Sequence, residues 1–539
     1  VRLGTVERVR VLQLAWRKPA VRRLCLATGA FRAAELGVWI ALIAYVYTAG
    51  GVREASAVTV AQLVPATLFA LTVGDLIRRF GGAQVLRIGL VVQAAGMMAG
   101  AVLLRQELNA AAFVAAIVAA TAVTTTRPAL SVLTPGVVDS PDELSAANVF
   151  SGLLVALAGL VGPATAAIVM TAVGSWAVFA LMALVVATAA ATVWRVPNLR
   201  STAEDDALAR IAALGAIARE RAPRTMVMAV AVFYVVIGAF DVLSVVIAVE
   251  LLNRSEAFSG YVTTAVGAGC VLAGSVSLLV IGRRRLAPWV LVSAAAVGAT
   301  LVCVSAVGAR VPLSLLILVG FGVAQSTYEL TSLMLLQRVT RLDLLGHVFS
   351  VVEALQMAML AIGAALVPLA VQLFGSPWAP AAIGILFVAL VGMLATRIIL
   401  IDRHARVPIT EMARLRATPL FGALPGPALE TIARESRRLE VAAGEVVVKQ
   451  GEPGSEYFAV VSGELAVSVD GVERRALVRG DGFGEIALLH DVPRAATVRA
   501  TASSVLLAVG REPFLAAVTG HAQTRDRATS IVATHLTSD

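Results

Sequence analysis

The sequence predicts a multi-domain chain. An all-α polytopic membrane domain of about twelve transmembrane helices, in two six-helix halves, precedes a small soluble β-barrel or jelly roll with flanking helices. Three observations carry this. The 539 residues are 58% hydrophobic and only 15% charged, with mean hydropathy +0.86, far from a soluble composition. Apolar runs of spanning length recur up to about residue 400. After that point the composition turns polar, and short alternating segments are broken by glycines.

Residues 1–23, with "VERVRVLQLAWRKPAVRR", mix basic and bulky apolar side chains and predict an amphipathic helix on the inner membrane surface rather than a cleavable signal. Spans are expected near 24–49, 56–77, 85–105, 109–133, 147–173 and 174–195, which makes 24–195 the first half. The polar residues 196–224 form a central loop. A second half, 225–401, holds spans near 225–251, 258–281, 287–308, 310–337, 347–374 and 378–401. Residues 402–417 read as a linker and 418–539 as the soluble domain.

Arginine sets the orientation. Arg22, Arg23, Arg78, Arg79, the 195–224 cluster, Arg283 to Arg285, Arg338 and Arg341 all fall in loops on one side. The other side holds little beyond Arg53, Arg105, Arg254 and Arg310. The richer side is cytoplasmic, which puts both the N- and C-terminal segments there. This same bias accounts for the net charge of +9, so that charge does not indicate a nucleic-acid partner. Lysine occurs only at Lys18 and Lys449, an arginine usage expected of a GC-rich bacterial genome and hence of a bacterial inner membrane. Cys25, Cys270 and Cys303 lie in or beside apolar runs, without CxxC or Cys/His spacing, so neither a disulfide scaffold nor a metal site is expected.

Ionisable residues inside a bilayer are costly and face a cavity or a partner. Here they are few: Arg32 and Glu35 in span 1, Arg127 in span 4, Asp241 in span 7, and Glu329 beside Gln325 and Tyr328 in span 10. Arg32 and Glu35 are three apart and share a helix face, so a self-neutralised packing pair competes with a functional reading. In the functional reading Glu35 or Asp241 exchanges a proton while Arg32 or Arg127 supplies the counter-charge. Glu353 reads as structural.

Two six-helix halves about a charged loop resemble the major facilitator superfamily. "GDLIRRFGGAQVLRIG" (74–89) is similar to that family's loop between helices 2 and 3: Gly74, Arg79 and Gly81 match. Arg78 stands at the usual Asp position, and Gly82 and Ala83 replace a basic pair. "TRPALSVLTPGVVDSPDELSAANVFSG" (126–152) and Gly162-Pro163 resemble helices 4 and 5 of the family's bacterial exporters. The resemblance implies that spans 1, 4, 7 and 10 line a central cavity, and it favours export of a small molecule.

In the tail, "GDGFGEIALL" passes from a strand into one helical turn whose free amides make an anion cradle. Arg494 in "PRAAT" can pair with a phosphate, and Glu485 can accept a sugar hydroxyl; together they fit a sugar phosphate. "FGEIALL…PRAATVRA" closely resembles the phosphate-binding cassette of cyclic-nucleotide-binding domains. The resemblance implies that Glu485 holds the ribose 2′-hydroxyl and Arg494 the cyclic phosphate. The amides of Ile486, Ala487, Ala495 and Ala496 complete a site bounded by Phe483, Gly484 and Thr497. Ala495, where threonine favours cGMP, implies cAMP. Arg525, Arg527 or an aliphatic side chain of the last helix is the candidate lid over the base.

These features point to a secondary transporter regulated by cytosolic cAMP, with cAMP as regulatory ligand and no metal or redox cofactor. The alternative is a membrane-anchored cAMP receptor without transport. An ion channel is disfavoured by the lack of a TVGYG-like filter or an arginine-repeat voltage sensor. A transcription factor is disfavoured because about 40 residues after the cassette cannot hold lid helices and a helix-turn-helix. No catalytic constellation suggests an enzyme. The lipid bilayer, cAMP and an unidentified small molecule are the expected partners, nucleic acid is not, and the oligomeric state stays open.

Overall fold

The computed structural model describes residues 16–138, 141–198, 215, 219–280, 283, 285–340, 345–404, 409–422, 424 and 426–519. They form two compact units, divided near residue 406, with residues 138–146 grouped with the second unit.

The first unit is helical: α1 (Pro19–Phe80), α2 (Gly82–Arg105), α3 (Asn109–Val123), α4 (Thr126–Gly136), α5 (Pro141–Ala172), α6 (Ser175–Val193), α7 (Arg221–Val246), α8 (Ser259–Val280), α9 (Ala287–Val307), α10 (Val311–Val339), α11 (Leu345–Phe374) and α12 (Ala379–His404). Among the described residues, eleven helical stretches are long and apolar enough to cross a bilayer. The first, Pro19–Ala70, contains Gly51 at φ 68° and ψ −156°, so it bends there and supplies two crossings, bringing eleven to twelve.

Three expectations are corrected here. Spans 1 and 2 are joined by this glycine kink rather than by a loop at 50–55; only glycine adopts that backbone without strain. From Pro19 onward the expected surface helix is simply the first turns of span 1, with Pro19 at the helix start where its missing N–H costs nothing; residues 1–15 lie outside the described residues. Span 4 is interrupted at Thr124 and Thr125, between α3 and α4. Both hydroxyls turn back onto their own helix, Thr124 to the Thr121 carbonyl and Thr125 to that of Ala122. Most of the central loop lies outside the described residues; its final residues, from Arg221, already belong to α7.

Two contacts join the halves at the helix ends remote from the central loop. The Tyr47 hydroxyl donates to Glu250 Oε1 at 2.8 Å, joining α1 to a π-helical turn, Ile247–Leu251, that succeeds α7. α8 approaches α5 so closely that a Cβ on Gly260 would sit 2.7 Å from the Pro163 carbonyl oxygen.

At the opposite ends, each half closes on a side-chain cap. Asn198, just beyond α6, accepts from the Ala83 and Gln84 amides (3.1 and 3.2 Å) and donates to the Phe80 carbonyl (2.9 Å). Asp402, in the last turn of α12, accepts from the Leu286 and Ala287 amides (3.1 and 3.2 Å) at the start of α9. Both caps satisfy orphan N–H groups of a helix first turn.

The second unit opens with α13 (Ile409–Ala417) and α14 (Gly426–Glu435). Eight strands come next: β1 (Arg437–Val441), β2 (Val446–Val448), β3 (Glu456–Ser462), β4 (Leu465–Val469), β5 (Val472–Leu477), β6 (Gly482–Phe483), β7 (Thr497–Ala500) and β8 (Ser504–Gly510). α15 (Glu485–His490) lies between β6 and β7, and α16 (Arg511–Thr519) comes after β8. The strands form two four-stranded antiparallel sheets, ordered β1-β8-β3-β6 and β2-β7-β4-β5, a jelly-roll arrangement.

Alternation along β3 and β8 makes two cores. Phe458, Val460, Leu506 and Ala508 point between the sheets, with Phe483, Leu465 and Leu477. Tyr457, Ala459, Leu507 and Val509 point outward, beneath a helical layer containing Leu415, Phe421, Leu429 and Phe514. Leu415 is fully buried there, so α13, within the expected linker, packs with the soluble unit.

Candidate functional site

The tail site is built where β6 ends. Gly484, at φ 96° and ψ 0°, turns the chain from strand into α15 through the left-handed region. The amides of Ile486 and Ala487 lie in the first turn of α15, where a helix supplies no acceptor of its own. Glu485 opens that helix and is 3% exposed.

Arg494 is held from several directions and is 7% exposed. Its Nη1 donates to the Gly484 carbonyl at 3.1 Å and its Nη2 to the Glu456 carbonyl at 2.7 Å. Its guanidinium carbon lies 5.8 Å from the centre of the Phe458 ring. Its backbone pairs with Glu452 and Gly451 at 2.8 and 2.9 Å. Burial lowers the Arg494 guanidinium from its ordinary value, while the Glu456 and Glu485 carboxylates act in the opposite sense. An arginine stays charged through such a shift, so the site offers a fixed cation with part of its donor fork already oriented. Burial, reinforced by Glu485 and Asp481, pushes the Tyr457 phenol well above its ordinary value, so it is neutral beside the site.

A cavity of about 170 Å³ joins these groups. Gly484, Glu485, Ile486, Ala487, Arg494, Ala495 and Ala496 line it on the cassette side, with Phe483 beside them. Val448, Val467, Val469 and Val498 line the rest, with Arg474 and Arg475 of β5. These two arginines were not anticipated from the sequence. Their signal is the pairing of Arg475 with Val467 across the hairpin, which appears only once the register is known. Thr497 stands outside the lining; its hydroxyl accepts from the Gln450 amide at 3.0 Å and so ties β7 to the neighbouring turn. Arg525 and Arg527 lie outside the described residues.

A side chain at Gly484 meets two obstacles. Its Cβ would sit 2.5 Å from Arg494 Nη1 and 2.9 Å from the Glu456 carbonyl oxygen. The left-handed backbone alone costs about 1–2 kcal/mol for an L-residue. Gly484→Ala is therefore expected to weaken nucleotide binding at least tenfold, measured by titration of the full chain. Unchanged affinity would show that Arg494 is not held as described.

In the membrane unit a polar cluster crosses the halves. Arg32 Nη1 and Glu35 Oε2 are 2.6 Å apart. The carboxylates of Asp241 and Glu329 also act on Arg32, which gathers charges from spans 1, 7 and 10. Trp39 lies beside Asp241. The Tyr234 hydroxyl donates to Glu329 Oε1 at 2.7 Å and lies in the field of Arg127 and Glu353. Trp39 and Tyr234 were not anticipated. Gln325 donates to Cys270 Sγ at 3.3 Å. Tyr328 is fully buried, packs with Phe233 and Phe387 (ring centres 5.0 and 5.4 Å away), and donates to the Ala229 carbonyl. It packs the second half, while Tyr234 is the tyrosine that meets Glu329.

Comparison with known proteins agrees with this division. Residues 438–521 match the family described as cyclic nucleotide-binding domain. Over 104 residues the chain is 38% identical to a cAMP-dependent protein kinase regulatory subunit of Emericella nidulans, covering 19% of this chain and 25% of the relative. Over 69 residues it is 44% identical to a cGMP-dependent protein kinase of Eimeria tenella, covering 13% and 7%. The chain thus spans a quarter or less of these relatives. Among solved structures, the regulatory domain of Toxoplasma gondii PKA with cAMP matches at 34% identity and a TM-score of 0.21, covering 23% of this chain and 46% of that one. Residues 24–364, more than half of the chain, match the Major Facilitator Superfamily. The chain is a multi-pass membrane protein that belongs to the Major Facilitator Superfamily and carries a C-terminal cyclic nucleotide-binding domain.

Proposed function

We propose that this chain is a secondary active transporter, a proton-coupled exporter of a small molecule, whose activity is set by cAMP bound to its tail. The observation that carries the reading is the burial of Glu485 and Arg494 around one cavity, beside the first turn of α15. A buried cation and a buried carboxylate at 7% and 3% exposure suit a ligand that brings both an anion and a hydroxyl. A cyclic phosphate fused to a ribose does so. The residues proposed to hold the nucleotide are Phe483 to Ala487 and Arg494 to Ala496, with Thr497 supporting β7. Ala495 favours cAMP over cGMP. The test is calorimetric titration of the full chain in nanodiscs with both nucleotides. Equal, negligible binding of the two would sink the reading.

The transport part rests on the charged cluster of spans 1, 4, 7 and 10. Arg32 pairs with Glu35 while sensing Asp241 and Glu329, so a proton arriving at Glu35 would release the arginine towards the other two carboxylates. The arginine bias supports cytoplasmic N- and C-terminal segments in a bacterial inner membrane. In that orientation the Tyr47–Glu250 contact lies at the outer end, which supports a structure closed to the outside. Glu35→Gln and Asp241→Asn are expected each to lower pH-gradient-driven flux at least tenfold in proteoliposomes, once a screen has identified a cargo. Unaltered flux in both variants would remove proton coupling through this cluster.

A further inference from the structure

The two helix caps of the membrane unit share a geometry but differ in chemistry and in the segments they lead into. Asn198 closes the first half and opens onto the central loop. Asp402 closes the second half, and the chain leaves α12 two residues later on its way to the nucleotide domain. Asp402 is 3% exposed. Its carboxylate binds two amides of the α9 start, and its own carbonyl accepts from Arg285 Nη1 at 3.2 Å. Arg338 Nη2, near the end of α10, donates to the Arg283 carbonyl at 3.0 Å in the same segment. Hydrogen bonds thus tie the last turn of α12 to Arg285 and the start of α9, and a separate one ties Arg283, two residues upstream of Arg285, to α10, the helix that carries Glu329.

We propose that Asp402 is the positioning residue through which nucleotide occupancy of the tail reaches the transport helices. The proposal rests on the tail being a cyclic-nucleotide sensor. The side chain suits this role because its oxygens accept from two amides at the start of α9. Buried amides cannot be left without an acceptor, so displacement of the last turn of α12 has to carry the start of α9 with it. The neutral Asn198 gives the first half the same closure with no nucleotide domain attached to it. Through this cap the coupling acts on the second half, at α9 and α10.

The experiment uses the full chain in nanodiscs, with Cys25, Cys270 and Cys303 replaced by serine. Spin labels are placed at the exposed positions Gln84→Cys and Pro288→Cys, near the starts of α2 and α9. Pulsed EPR reads the distance between them with and without saturating cAMP, and calorimetry reads cAMP binding by the same samples. In the parent protein cAMP is expected to shift the distance distribution. Asp402→Ala should lose that shift while binding cAMP within twofold of the parent. Asp402→Asn, which keeps an oxygen acceptor as Asn198 does, should retain it. A second variant leaves the cap intact and inserts six Gly/Ser residues after His404; the slack it introduces should abolish the shift even if Asp402→Ala does not fold. A shift that survives both Asp402→Ala and the insertion overturns the proposal, as does cAMP binding to the parent with no shift. A parent that binds no cAMP fails on the sensor reading itself and takes the proposal with it.

Discussion

Arg494→Ala is expected to weaken cyclic-nucleotide binding by about 2–5 kcal/mol, roughly 30- to 5,000-fold. Two losses add. The variant removes the buried cation that would face a phosphate, and it releases the Gly484 and Glu456 carbonyls that the guanidinium holds. The second loss loosens the turn that presents the α15 amides. Arg494→Lys separates the two, because it keeps the charge but cannot reproduce the planar fork. It should bind with intermediate affinity. Calorimetric titration of the full chain with cAMP measures both variants. An Arg494→Ala affinity within threefold of the parent would show that the ligand is held elsewhere in the cavity.

Phe514→Ala is expected to destabilise the tail by about 3–5 kcal/mol. Phe514 is fully buried and stacks 5.2 Å from Tyr457, with Phe421 6.0 Å away, and Leu488 of α15 belongs to the same core. Truncation leaves a cavity between α16 and the β3–β8 face that the helices cannot readily fill. All six tryptophans lie in the membrane part of the sequence, so intrinsic fluorescence reports on the wrong unit. Hydrogen exchange of the β3 peptide, residues 456–462, is the suitable probe. Its slowest amides should exchange roughly 100- to 5,000-fold faster. Exchange within threefold of the parent would mean that the helical layer does not support the sheet.

The cassette was legible because its chemistry is local: Glu485 and Arg494 lie close in the sequence and face one cavity. The twelve crossings were legible from length and hydropathy alone. Residues that act through distant partners were not. Tyr234 lies 95 positions from Glu329, Tyr47 lies 203 from Glu250, and Asp402 lies 116 from Leu286. Nothing in a helical run says which of two tyrosines turns towards an acid. Tyr328, the immediate neighbour of Glu329, points into an aromatic cluster instead, because adjacent helix positions face about 100° apart. Pattern also failed at Gly51, where hydropathy marks two spans but not the single kinked helix that joins them.

The double burial of β3 and β8 has a practical consequence. Strands covered on both faces are sticky once one cover is lost, and "EYFAVVS" and "SVLLAVG" carry little charge to prevent self-association. Their outer cover includes Leu415 and Met412 of α13. A tail fragment cut at residue 418 would shed both and leave part of that face open to other copies. One beginning ahead of Ile409 would keep its lid and remain dispersed in solution.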